Sequence, residues 1–243
     1  MKKNINAVVF AIAIVIASII LGNAVVNRNK KAGNISVTGL GQTNFTSDLI
    51  VWEARFSQIN KDLKQAYTDL KKDKETISEY FRSKGLHDSV IVFNAVSTNK
   101  TTKPNYSDDG KYIGEEFTGY TLNQTLQINS KEVEKVEKIS REVTELLNKG
   151  IQLYSMTPRY YYTKLEDLKI EMISRATENA RVRAVSIAKN SGAQLGELST
   201  ANMGIFQITG QNSNEDYSWG GVYNTSSKEK TASITMKLIY ALD

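Results

Sequence analysis

The sequence predicts an α+β protein: mainly antiparallel sheet with helices packed on one face, preceded by one N-terminal transmembrane helix or signal segment. Three observations carry this. An apolar run from Ala7 to Gly22 follows Lys2 and Lys3 without a single charge. Several later segments alternate apolar and polar residues one by one, the pattern of an antiparallel sheet with a single covered face. Between them lie stretches whose apolar residues recur at helical spacing.

Extended through Asn23 to Val26, the first segment is roughly as long as the 30 Å core of a bilayer. Gly22-Asn23-Ala24 has small residues at cleavage spacing but no clear cleavage motif, which favours a retained anchor over secretion after signal cleavage. The chain therefore divides into an anchor and linker over 1–33 and a domain over 34–243. Charge supports this division. Of 31 Lys and Arg, five lie in 1–33 (Lys2, Lys3, Arg28, Lys30, Lys31) with no acid beside them, leaving 26 basic against 26 acidic residues. The domain is formally neutral, so no long-range field draws it to a polyanion, and nucleic acid is not an expected partner. Without cysteine there is neither a disulfide framework nor thiolate chemistry.

"ISVTGLGQ" and "DLIVWEARFSQI" read as two strands, the second placing Ile50, Trp52, Ala54 and Phe56 on one face. A helix follows, with Leu63, Tyr67, Leu70, Ile77 and Phe81 on one stripe and Gly85 closing it. "SVIVFNAVSTN" is a third strand. The polar segment Lys100–Glu116, with Pro104 and the turn signal Asp109-Gly110, reads as a loop leading into "FTGYTLNQTLQI". A second helix over about Lys131–Asn148 carries Val133, Val136, Val143, Leu146 and Leu147, and short strands around "IQLYSMT" and "RYYYT" bracket Pro158. After a third helix, two strands end the chain: "LSTANMGIFQIT", and "TASITMKLIYAL" with Ala232, Ile234, Met236, Leu238 and Tyr240 on one face.

The third helix opens on Thr163-Lys-Leu-Glu166, a capping box, and ends at Gly192, suited to a left-handed cap. Ala176, Ala180, Ala184 and Ala188 recur every four residues and extend the line of Leu165, Leu168 and Met172. A ridge without bulk lets a helix lie unusually near what it covers, so this is a packing element. Arg175, Arg181, Arg183 and Lys189 share the remaining circumference with Glu171 and Glu178, as on a solvated outer face.

"NARVRAVSIAKNSGAQLG" resembles the C-terminal signature of the SIMPL-domain (DUF541) family, through Ala180-Arg181, Ala184, Ala188-Lys189, Gly192 and Leu195-Gly196. "ISVTGLGQTNFTSDLIVWEARF" is similar to that family's opening strand pair, with Ser47-Asp48 where the family usually has Pro-Asp. The resemblance implies a bacterial envelope protein akin to periplasmic stress-defence proteins and to periplasmic antigens that assemble into rings. The family has no established catalytic residues, so none is implied here.

The residues themselves mark no reactive centre. The single histidine, His87, lies beside Asp88, but neighbours in sequence do not face each other productively, and an exposed connector is the plainer reading. With one His and no Cys, neither a transition-metal set nor an EF-hand spacing appears. Gly39-Leu-Gly41 lacks the third glycine and the following helix of a dinucleotide loop, and is expected to ease a bend in the first hairpin. The pairs Asp108-Asp109, Glu115-Glu116 and Glu166-Asp167 lack the apolar pocket that would raise one carboxyl pKa.

Aromatic residues are the better lead. Tyr160, Tyr161 and Tyr162 fit cross-strand packing. The long polar connection Gly210–Lys230 carries Tyr217, Trp219 and Tyr223, candidates for contact with a partner, a second subunit or a glycan. The expected function is thus that of a non-enzymatic, single-pass protein of the bacterial inner membrane with its domain in the periplasm. No cofactor or metal is expected. Such a protein acts by homo-oligomerisation or contact with an envelope protein in envelope maintenance or oxidative stress defence. The alternative is a ligand- or glycan-binding module using loops 100–116 and 210–230.

Overall fold

The structure is a computed structural model that describes residues 2–28 and 33–242; Lys30 and Lys31, counted above among the charges after the apolar run, lie outside the described residues. The elements in order are α1 (Lys2–Arg28), β1 (Asn34–Thr46), β2 (Leu49–Asn60), α2 (Leu63–Ser83), β3 (Ile91–Phe93), β4 (Ser97–Tyr106), β5 (Tyr112–Ser130), α3 (Val133–Glu142), β6 (Tyr154–Ser155), β7 (Arg159–Tyr161), α4 (Leu165–Asn190), β8 (Leu195–Met203), β9 (Gln207–Gly210) and β10 (Glu229–Leu242). Short 3₁₀ turns precede β3 and follow α3. The fold is α+β, with antiparallel pairing in both sheets. The apolar run forms one helix through Asn23, and its Val8–Val25 window has a mean hydropathy of 2.7 with none of it buried.

Residues 33–242 belong to two compact units. Gln42–Met172 and Ile205–Ser233 form one; the chain up to Gly41, Ile173–Gly204 and the segment from Ile234 form the other. The larger unit is organised by the long pairing of β2 with β5, from Ile50 opposite Ser130 to Asn60 opposite Tyr120. β3 and β4 add to β5, and β6 and β7 to β2. Strand alternation sends Ile50, Trp52, Ala54 and Phe56 to one face together with Leu122, Leu126 and Ile128. There they meet Leu70, Ile77 and Phe81 of α2 and Val133, Val136 and Ile139 of α3. Trp52 is held edge-on to Phe81 at 5.9 Å, and its indole N–H donates to Ser155 Oγ at 3.0 Å. The expected core is therefore present.

Three expectations in this unit change. The buried line of α2 is Ala66, Leu70, Ile77 and Phe81: Leu63, one turn before it, is exposed, and Tyr67 is exposed to the side of it. The third strand is broken into a 3₁₀ turn, β3 and β4. The supposed loop Lys100–Glu116 is mostly strand. β4 and the first half of β5 form a hairpin closed by Ser107–Lys111, where Ser107 N–H donates to Lys111 C=O at 2.9 Å and Gly110 sits at φ +74°. Pro104 lies on β4, which pairs with β5 alone, an edge position of the kind where proline is tolerated. Thr101 lies opposite Gly119 and Thr102 opposite Phe117, so Thr118 is an inserted bulge residue.

In the smaller unit, β10 pairs with β8, and Met236, Leu238 and Tyr240 are buried with Ile35 and Val37 of β1. The predicted strand "LSTANMGIFQIT" is interrupted at Gly204–Phe206, giving β8 and β9. Ala176, Ala180, Ala184 and Ala188 are all buried, as the four-residue spacing required. Gly39 faces them. A Cβ built on it would stand 2.1 Å from the Ala176 carbonyl oxygen and 2.5 Å from the Ala180 nitrogen. This corrects its expected role: Gly39 does not ease a hairpin bend but lets the helix backbone touch the strand. Two bonds fix the approach, Leu40 N–H to Asn179 Oδ1 at 3.2 Å and the Arg183 guanidinium to Thr38 C=O at 3.1 Å. Gly192 takes the predicted left-handed cap at φ +76°.

Since the atoms in the way belong to backbone, no rotamer change relieves the clash. Gly39→Ala is expected to destabilise by about 3 kcal/mol, read as a lowered midpoint in thermal or urea denaturation, and Ala180→Gly in that background is expected not to restore it.

Candidate contact surface

The Gly210–Lys230 connection looks in sequence like a mobile polar loop, but two side chains organise it. Gln207 Oε1 accepts from Val222 N–H at 2.9 Å, while Gln207 Nε2 donates to Ser218 C=O at 2.8 Å. Asn224 is buried; its Oδ1 accepts from Ser227 N–H at 2.8 Å and its Nδ2 donates to Glu215. Glu215 also accepts from Gly210 N–H at 2.9 Å, and this bond, followed by the Asn224 contact, holds its carboxyl below the usual range. Buried amides thus satisfy the turn's backbone.

The three aromatic candidates part company on this frame. Tyr223 packs against Tyr161 with ring centroids 6.4 Å apart. Tyr217 is 65% exposed, its hydroxyl accepting from Ser233 Oγ at 3.2 Å. Trp219 is 95% exposed beside Gly220 and Gly221. Of the tyrosine triplet, Tyr160 is buried opposite Ile50 and Tyr161 lies opposite Leu49, which is the expected cross-strand packing, whereas Tyr162 lies beyond β7 with its ring 4.8 Å from that of Phe45. Trp219 and Tyr217 remain as a candidate contact pair.

Sequence reasoning missed Lys230, which is 0% exposed. Its ammonium donates to Ser227 C=O, and burial pushes its pKa down to about 8, with Glu215 opposing. The signal was present: Lys230 precedes Ala232 by two residues, so it falls on the buried face of β10.

A second exposed region is the β4–β5 hairpin. Its pattern is almost wholly exposed, although it carries Tyr106, Tyr112, Ile113 and Phe117. The rings pair internally, Tyr106 with Tyr112 at 6.0 Å and Phe117 with Tyr120 at 5.2 Å. At its base, Leu63, Lys64 and Tyr67 of α2 with Val96, Thr98 and Leu122 line an open groove of about 560 Å³.

The groups considered for chemistry are dispersed. His87 is exposed and precedes a 3₁₀ turn without capping it; Asp88 is held by Arg82 through Nε and Nη2, both at 2.8 Å. Asp108-Asp109 lies at the hairpin turn, Glu115-Glu116 in β5 and Glu166-Asp167 in the first turn of α4. Among the described residues no group of three His, Cys, Asp or Glu is placed to hold a metal ion. The predicted capping box is corrected. Asp48 accepts both from Thr163 N–H at 2.7 Å and from its hydroxyl at 2.6 Å, taking the role expected of Glu166.

Two antiparallel sheets, a glycine–alanine helix seat and an acidic strand-to-helix tie define an α+β domain of the kind anticipated from its end motifs. The chain belongs to the SIMPL family, whose model is described as a protein of unknown function (DUF541) and matches residues 35–237. No curated protein matches the chain. The Ser47-Asp48 departure is consistent with local bonding, since Ser47 N–H donates to Lys228 C=O at 3.0 Å, a bond proline cannot make.

Lys230 sets a pH signature. Between about pH 8 and 10.5 the folded amine is neutral while the unfolded one stays protonated, so the unfolded state binds more protons and stability rises with pH. Relative to Lys230→Met, the native chain is expected to gain at least ~2 °C in thermal midpoint across that window and to show no change in the gap between pH 6 and 7.5.

Proposed function

We propose that this protein is a membrane-tethered SIMPL domain that acts by contact with other protein surfaces, its own copies foremost, rather than by catalysis. The observation that carries the reading is α1. An uninterrupted helix with an 18-residue window of mean hydropathy 2.7, none of it buried, has the length and composition to cross a bilayer. A helix of this kind just before a large neutral domain supports an inner-membrane anchor with the domain on the periplasmic side. Confinement to a membrane raises the effective concentration of neighbouring copies, so modest contact surfaces suffice there. Exposed aromatic residues at Trp219, Tyr217 and the β4–β5 hairpin supply such surfaces. Envelope maintenance, including defence against oxidative stress, is the role that fits a tethered assembling domain in this family.

Trp219 favours a second reading, a glycan- or ligand-binding module. A fully presented indole beside two glycines suits stacking on a sugar ring, although the polar groups around it are largely engaged in holding the turn.

The test uses the full chain. It is expected to remain in membranes after an alkaline carbonate wash and to show the mass of a defined multimer when extracted in mild detergent. Release by the wash would refute tethering, and a strictly monomeric mass would refute the contact reading. Trp219→Ala is expected to leave that multimer intact; loss of binding to a cell-wall glycan in this variant would move the assignment to the second reading.

A further inference from the structure

Gln124 stands where the core pattern of β5 calls for an apolar side chain. Alternation places it inward between Leu122 and Leu126, and it is 7% exposed. Its Nε2 donates to Asn94 C=O at 2.7 Å, and among the described residues no second acceptor meets that nitrogen, so one amide hydrogen is left over. The side chain lines a hollow of about 200 Å³ between α2 and the sheet. This hollow continues into the open groove of about 560 Å³ at Leu63, and Tyr67 and Val96 line both. One channel therefore runs along α2, with an amide at its narrow end and Leu63, Val96 and Leu122 along its wide one. A mostly apolar lining of this extent with a few polar groups at one end is the usual form of a small-ligand site.

Charge is laid out along the same flank. Lys64, Lys71 and Lys74 all line the channel, since their spacing brings them to one side of α2. None has an ion-pair partner among the described residues. Three carboxylates of this region are engaged by neutral donors instead: Asp62 caps α2 through Gln65 N–H, Asp69 accepts from Gln65 Nε2, and Asp73 accepts from Gln58 Nε2. The Lys74 ammonium lies 4.8 Å from the centre of the Phe93 ring. Glu75 is the one acid lining the narrow end, so with Lys71 and Lys74 it leaves a single positive charge there. The wide end selects against peptide. An extended peptide would bring an N–H and a C=O at every residue, and the side chains there offer only Lys64, Thr98 and the Tyr67 hydroxyl to meet them. An alkyl chain brings none.

We propose that this channel binds a long-chain fatty acid. Its carboxylate lies at the narrow end with Lys71, Lys74 and the Gln124 amide, and its alkyl chain runs over Tyr67, Val96 and Leu122 toward Leu63. The single charge of a carboxylate matches the single surplus charge of that end. From Lys74 back to Leu63 is roughly 16 Å along α2, room for an extended acyl chain. The site goes beyond the contact reading and does not rest on it.

The test uses the full chain in native membranes and palmitic acid carrying a mid-chain diazirine. On illumination, peptides containing residues 63–67, 96–98 or 122 are expected to be labelled, and to lose most of that label when unlabelled palmitate is in excess. Labelling of α1 by membrane-dissolved probe serves as the internal reference. Lys71→Glu combined with Lys74→Glu is expected to cut the channel label about tenfold relative to α1. Lys72→Glu, on the opposite side of α2, is expected to leave it unchanged. These side chains are exposed or half-buried, so the thermal midpoint of each variant should stay within about 2 °C of the native chain. Labelling confined to α1 overturns the site and leaves an acidic partner peptide as the channel's occupant. Channel label that excess palmitate does not displace, or that survives the double charge reversal, overturns it also. None of these outcomes alters the detergent mass, which tests the contact reading separately.

Discussion

The approach of α4 to β1 at Gly39 is the constraint to which the smaller unit is built. A helix whose backbone lies within van der Waals reach of a strand can present no side chain larger than a methyl along the contact line, and the strand can present none at all at its nearest point. That demand accounts for the alanines at 176, 180, 184 and 188 and for a helix that buries one narrow line while leaving most of its circumference to water. It accounts also for the polar ties at Asn179 and Arg183, which meet β1 backbone groups on either side of Gly39. Close seating makes fewer apolar contacts per residue than interdigitated leucines do, and it fixes position more sharply, since neither partner has a rotamer to adjust.

Much of this architecture was legible from periodicity. The one-sided alternation of β2 and β10, the alanine spacing in α4 and the charge-free run of α1 each report a single dominant environment, and each element formed as read. Errors arose where two environments meet. Leu63 fits the α2 stripe by spacing, but spacing does not reveal where the cover ends, and Tyr67 lies beside the buried line that runs through Ala66 and Leu70. The β4–β5 arm reads as a loop in sequence because polarity on both faces resembles an absence of structure, whereas in a two-stranded ribbon both faces see water. Sequence shows only neighbours and so offers Thr163 a local partner in Glu166; Asp48, which fills that place, is 115 residues away.

The Gly210–Lys230 turn illustrates the same limit for the contact surface. Composition identified its three aromatic residues but could not separate Tyr223, drawn back against Tyr161, from Trp219, which stands clear. What separates them is the pair of amides at Gln207 and Asn224, ordinary residues in sequence whose burial makes them the turn's internal scaffold. Lys230 beneath them holds a charge in a dry setting with a carbonyl and a nearby carboxylate as its compensation. A polar network of this sort contributes little net stability and much definition, because few other backbone paths satisfy every member.

The inserted residue at Thr118 has a consequence for how this family can vary. In a strand, one residue added or lost exchanges inward and outward for everything beyond it. Here the insertion puts Phe117, and not Thr118, in phase with Tyr120. A chain lacking Thr118 would still set Gly119 opposite Thr101 and Phe117 opposite Thr102, so the bulge is a place where the arm can lose a residue without turning its aromatic side over. A residue gained or lost within a regularly paired stretch of the same arm would instead exchange its two faces.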